Sequence, residues 1–144
     1  AHDGHSFRFW RPARTERALR DRAQAVIERI GLGALARQPV AALAHGQQRQ
    51  LEIAMALATE PKLLLLDEPL AGMGVEESAQ MVELLGGLRA GRAILLVEHD
   101  MDAVFRLADR ISVLVYGKLI ATGAPDEIRA NEHVRAAYLG EEDA

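Results

Sequence analysis

The chain is 144 residues long, the size of one domain, and can bury a real core. Its 49% apolar and 26% charged residues are those of an ordinary globular protein, and a net charge of −4 weighs against a nucleic-acid groove. It has no cysteine, so disulfide frameworks and thiolate metal sites are excluded, and no apolar run approaches bilayer-spanning length.

Residues 1–14 read as irregular, with Gly4, Phe7, Phe9, Trp10 and Pro12, and without the pattern of a signal peptide. A helix is expected from about Thr15, as N-cap, to Ile30, because Ala18, Leu19, Ala23, Val26, Ile27 and Ile30 recur at helical spacing. Gly31-Leu32-Gly33 ends it. Six arginines (Arg8, Arg11, Arg14, Arg17, Arg20 and Arg22) crowd this region, a pattern that usually marks a solvated face.

Leu43-Ala44-His45-Gly46-Gln47-Gln48-Arg49-Gln50 precedes the strongly helical run Leu51 to Ala58, and Pro61 stops that helix. A glycine turn opening a helix offers free amides and the positive end of the macrodipole to an anion. Taken alone, one glycine more often marks a plain turn.

Lys62-Leu63-Leu64-Leu65-Leu66-Asp67-Glu68-Pro69 is the most informative segment. A short, continuously apolar run predicts a parallel strand covered on both faces, and ligands bind at the carboxyl ends of such strands. Neighbouring carboxylates on one strand point to opposite sides, so Asp67 and Glu68 are expected to have different roles.

Beyond it, Glu76 to Arg89 reads as a helix closed by Gly91, and Ala93 to Val97 as a second buried strand. Asp100 is placed to cap a helix running to Ala108. Ile111 to Tyr116 and Leu119 to Thr122 flank a turn at Gly117-Lys118. Pro125, with Asp126 and Glu127, opens a short helix, and another begins near Asn131. Strands alternating with helices predict a mainly parallel α/β sheet carrying an antiparallel edge hairpin.

Together these segments resemble an ATP-binding cassette (ABC) transporter ATPase, a P-loop NTPase-like fold. Leu43 to Gln47 stands at that family's signature loop, Leu63 to Pro69 at its Walker B segment, Ala71-Gly72-Met73-Gly74 at its D-loop, and Val97-Glu98-His99-Asp100 at its switch histidine. His45, the phrase Leu51-Glu52-Ile53-Ala54, the AGMG D-loop and the ending Tyr138-Leu139-Gly140-Glu141 are most similar to branched-chain amino-acid importers. Urea importers and lipopolysaccharide-export ATPases share some of these features. No G-x-x-x-x-G-K-[ST] loop and no glutamine loop occur in these residues, so the chain resembles the C-terminal portion of a cassette. On that basis residues 1–60 are expected to be a remnant of the helical lobe, and 61–144 the C-terminal half of the RecA-like α/β lobe.

The resemblance implies ATP and Mg²⁺ as ligands. Asp67 would hold the Mg²⁺, Glu68 would act as general base or water-orienting group, and His99 would reach the γ-phosphate. Glu98 reads as an ordinary structural acid. Ala44, His45, Gly46 and Gln47 would meet ATP bound on a second cassette, with Gly72, Met73 and Gly74 beside it. Ala44 replaces the family's serine and His45 its first glycine, so backbone amides, with Gln47 as an auxiliary, would carry the anion contact. Gln50 and Gly74 also depart from the commonest spelling.

The implied function is an ATPase subunit energising uptake of branched-chain amino acids or a similar small solute. Its partners would be a second ATPase subunit and integral-membrane permeases, at the cytoplasmic face of the inner membrane. The arginine-rich helix would then face permease loops or anionic lipid. The alternatives are a non-catalytic half-cassette that only dimerises or docks, and an ABC ATPase of lipopolysaccharide export, urea uptake or DNA repair. Without its phosphate loop, the 144-residue chain by itself is expected to be inactive and to self-associate.

Overall fold

The computed structural model describes residues 17–139, which excludes Thr15, three of the six arginines (Arg8, Arg11, Arg14) and the last residues of the YLGE tail. The described residues divide into two compact units, with the boundary between Glu98 and His99.

In the first unit, helix α1 (Arg17–Arg29) is followed by single 3₁₀ turns at Gly33–Leu35 and Val40–Ala42. Helix α2 (His45–Leu57), strand β1 (Leu63–Asp67), helix α3 (Val75–Leu88) and strand β2 (Ala93–Val97) complete it. On α3 the buried residues are Met81, Val82, Leu85 and Leu88, at i, i+1, i+4 and i+7, which is one helical face. The buried residues of α2 are Gly46, Ile53, Ala54 and Leu57, and α2 packs against both α1 and α3. Full burial of the methionine, valine, leucine and isoleucine side chains among them contributes about 1.5–3 kcal/mol each.

Helix α2 begins six residues earlier than the composition of 51–58 suggests. Gly46 is therefore the second residue of its first turn, and the signature segment is not a loop ahead of the helix. At its other end, Glu60 adopts a left-handed conformation (φ +51) and donates its amide to the Leu57 carbonyl at 2.9 Å, ending the helix before Pro61.

Strands β1 and β2 are parallel and in register from Leu63↔Ala93 to Asp67↔Val97. The continuous apolar run predicts cover on both faces, but burial alternates. Leu64 is buried, whereas Leu63, Leu65, Leu95 and Val97 are 53–64% exposed. The period of two puts these four on one face of the sheet, which no described element covers.

The second unit contains α4 (Met101–Leu107), the hairpin β3 (Ile111–Val115) and β4 (Lys118–Gly123), α5 (Pro125–Ala130), α6 (Glu132–Val134) and a final turn at Arg135–Leu139. Ile111, Val113, Ile128 and Val134 form its core, with Val104, Phe105, Ala108 and Ala121 packed against them. Asp100 caps α4 as expected, accepting from the Ala103 amide at 3.1 Å, and Asn131 caps α6, accepting from His133 and Val134 at 3.0 and 3.2 Å.

The hairpin turn lies one residue earlier than expected. Tyr116 and Gly117 are its two central residues, with φ +48 and +75, and Lys118 already pairs with Val115. This is the type I′ pattern, whose twist matches the strands and which needs positive φ at both central positions, and glycine supplies only one of them freely. Among the described residues β3 and β4 pair with each other as a two-stranded sheet of their own.

Candidate functional site

The signature segment is held from both sides. Upstream, Gln48 Nε2 donates to the carbonyls of Leu43 and Val40 at 3.0 and 3.4 Å, fixing the approach to the helix. Ala44 is the N-cap and has no side-chain acceptor, so Gln47 closes the turn from within, its Oε1 accepting from the Ala44 amide at 3.0 Å. Gln47 is thus a capping residue, which its reading as an auxiliary anion contact did not foresee. His45, Gly46 and Gln47 occupy the first turn, where backbone N–H groups have no partner within the helix.

At the end of β1, Asp67 is the last strand residue and lies on the same face as Leu63 and Leu65. Glu68 leaves the strand with φ +44, while its amide still reaches the Val97 carbonyl at 2.8 Å. Left-handed conformations of non-glycine residues cost of order 1–3 kcal/mol and concentrate at functional sites. The chain then turns through Pro69 and Leu70, and the Leu70 amide donates to Glu98 Oε1 at 3.0 Å. Asp67, Leu65 and Leu66 also border a cleft of about 240 Å³ against Arg49, Glu52 and Ile53 of α2.

The segment 71–74 returns to α2. Gly72 has φ +75, and a methyl group there would lie 3.4 Å from His45 Nε2. Gly74 is the N-cap of α3, and its amide donates to Glu77 Oε2 at 3.3 Å. A methyl on Gly46 would come within 3.1 Å of the Glu77 carboxylate. Helix α2 has no acidic residue in its own first turn, and Glu77 of α3 is the carboxylate against it. The structure therefore groups the first turn of α2 with Gly72 and Gly74 within the first unit. Met73 lies between the two glycines and is half-buried. His99 is exposed and stands in the second unit, immediately after Glu98. Among the described residues no three His, Asp or Glu side chains converge as a metal cage.

Gln48 and Glu77 were not singled out by sequence reasoning. The signal for Glu77 was its position three residues after Gly74, the capping-box spacing.

The fold is that of part of an ATP-binding cassette. Residues 4–71 match the family model described as ABC transporter, and residues 118–144 the one described as branched-chain amino acid ATP-binding cassette transporter. The fold agrees: the ADP conformation of MJ1267, an ATP-binding cassette of an ABC transporter, superposes with a TM-score of 0.78 at 29% identity, over 88% of this chain and 52% of that one. The chain belongs to the ABC transporter ATP-binding family, on its branched-chain amino-acid branch. It is 47% identical over 123 residues to the high-affinity branched-chain amino acid transport ATP-binding protein LivG of Salmonella typhimurium, covering 84% of this chain and 48% of that protein. BraF of Pseudomonas aeruginosa, of the same description, is 41% identical over 130 residues, covering 89% and 51%. The chain spans about half the length of the curated relatives it matches.

Proposed function

We propose that these residues serve as the signature, Walker B, D-loop and switch segments of an ATPase subunit that energises uptake of branched-chain amino acids or a similar small solute. What supports this reading is the end of the β1–β2 sheet. Two parallel strands finish in register, Asp67 closes one of them, and Glu68 is held in a strained turn beside it. Residues 1–60 would belong to the helical lobe and 61–144 to the RecA-like lobe.

Asp67 suits Mg²⁺, because a hard cation takes one or two carboxylates and completes its shell with phosphate oxygens and water. When bound, that ion would neutralise charge on the β- and γ-phosphates. Glu68 polarises the attacking water as general base, and the first-turn amides of α2 receive phosphate oxygens of ATP held by a second cassette. His99 is assigned to the γ-phosphate on the resemblance alone. The partners are a second ATPase subunit and membrane-embedded permeases at the cytoplasmic face. Among the described residues no helix is long and apolar enough to cross a membrane, so attachment would come through those partners.

The test is Glu68→Gln in a cassette of the relatives' full length carrying these residues. General-base groups contribute about 10²–10⁴-fold in rate, so steady-state ATP hydrolysis should disappear while Mg-ATP binding persists. Turnover within a few-fold of the parent would remove Glu68 from the mechanism.

A further inference from the structure

The proposed mechanism gives Glu77 no role, yet Glu77 touches both segments expected to meet the nucleotide. Its Oε2 accepts from the amide of Gly74, the last residue of the 71–74 turn. Its carboxyl group also lies against Gly46, so closely that a methyl there would come within 3.1 Å of both Cδ and Oε1, and within 3.4 Å of Cβ. Gly46 is buried and Glu77 half-buried, so this contact is not a loose surface approach. A second contact runs parallel to it, because Gly72 sits against the His45 ring. Two points of contact fix a turn to a helix end in rotation as well as in distance.

We infer that Glu77 is a positioning residue that locks the 71–74 turn to the first turn of α2, so that the two segments present themselves to the nucleotide as one rigid piece. The inference rests on the reading of α2 as the signature helix. Glycine at position 46 leaves the Glu77 side chain its place, and a Cβ there would push that side chain aside by a few tenths of an ångström. The residue acts through hydrogen-bond acceptance and shape, and glutamine preserves both. Alanine removes both and frees the turn. Misplacing reacting groups by about 1 Å can cost up to ~10²-fold in rate with little change in ground-state binding, so the loss should fall on kcat.

The experiment is a double-mutant cycle in a cassette of the relatives' full length, using Gly46→Ala, Glu77→Ala, their combination, and Glu77→Gln. Chemical unfolding and steady-state ATPase kinetics are measured on each. Glu77→Ala should lower kcat about tenfold with KM little changed, and Glu77→Gln should restore kcat to within about threefold of the parent. In unfolding, the double variant should be more stable than the sum of the single effects, because the shortened side chain of Glu77→Ala leaves room for the new methyl. Simple additivity in unfolding, parental kcat in Glu77→Ala, or Glu77→Gln as impaired as Glu77→Ala would each overturn the inference. A parent without any turnover would instead sink the ATPase reading, and the unfolding cycle would still decide whether the two residues are coupled.

Discussion

The amide of Leu70 donates to Oε1 of Glu98 across 3.0 Å, joining the turn after β1 to the residue that follows β2. The bond spans 28 positions of sequence and braces the segment just past Asp67 and Glu68. Glu98 reads from sequence as a structural acid, and this contact is what such an acid does.

Replacing Glu98 by alanine should therefore leave the Leu70 amide without its acceptor in a part-buried place. Such losses cost about 1–3 kcal/mol, and urea unfolding measures them directly. Glu98→Gln keeps an acceptor oxygen and should cost clearly less. Equal destabilisation by the two variants would mean that the charge, and not this bond, is what the site uses.

The core of the first unit makes a contrasting prediction. Leu85 is 1% exposed on α3 and Leu63 is 53% exposed on β1, although both are leucines within apolar runs. In the isolated chain, diluted until it is monomeric, Leu85→Ala should destabilise by about 2–5 kcal/mol, whereas Leu63→Ala should stay within roughly 0.5 kcal/mol. A large effect at Leu63 would show that its face is covered in solution.

Expressed by itself, the 144-residue chain should hydrolyse no ATP and bind Mg-ATP at best weakly. The reason is chemical: these residues contain no glycine-rich loop with a lysine for the β- and γ-phosphates. Isothermal titration gives the answer. Micromolar affinity would mean that another phosphate site exists and that the present assignment is wrong.

The exposed face of Leu63, Leu65, Leu95 and Val97 carries the fourth prediction. An apolar sheet face with unpaired strand edges is a template for association. The isolated chain should self-associate at tens of micromolar in light scattering coupled to size exclusion, and Leu65→Lys with Leu95→Lys should reduce the association. A monodisperse monomer that unfolds cooperatively would contradict this.

Much of the fold was legible because its signals are local. Asp100 and Asn131 were recognisable as helix starts because each caps amides within three residues of itself, and Pro125 because its fixed φ suits the first helical position. The strand positions Leu63 to Asp67 and Ala93 to Val97 followed from short, continuously apolar runs with clear stops. Boundaries were less legible where a residue has no strong preference. Helix α2 starts at His45 because Gln47 caps Ala44 from inside the turn, a device that composition does not reveal. The hairpin turns at Tyr116 because register demands positive φ there, against that residue's own inclination.

The motif order along the chain, from the signature turn through Asp67 and Glu68 to His99, was set out by the sequence alone, and with it the class of protein. Chain order is one-dimensional information, and a family's spacing preserves it. Only the tertiary structure decided that Glu77 lies against Gly46, that Glu98 holds Leu70, and that one face of the β1–β2 sheet stays bare. Those relationships join residues about 30 positions apart, or depend on which elements are at hand to cover a strand. No local propensity encodes either; they arise when helices and strands pack and each side chain takes the space its neighbours leave.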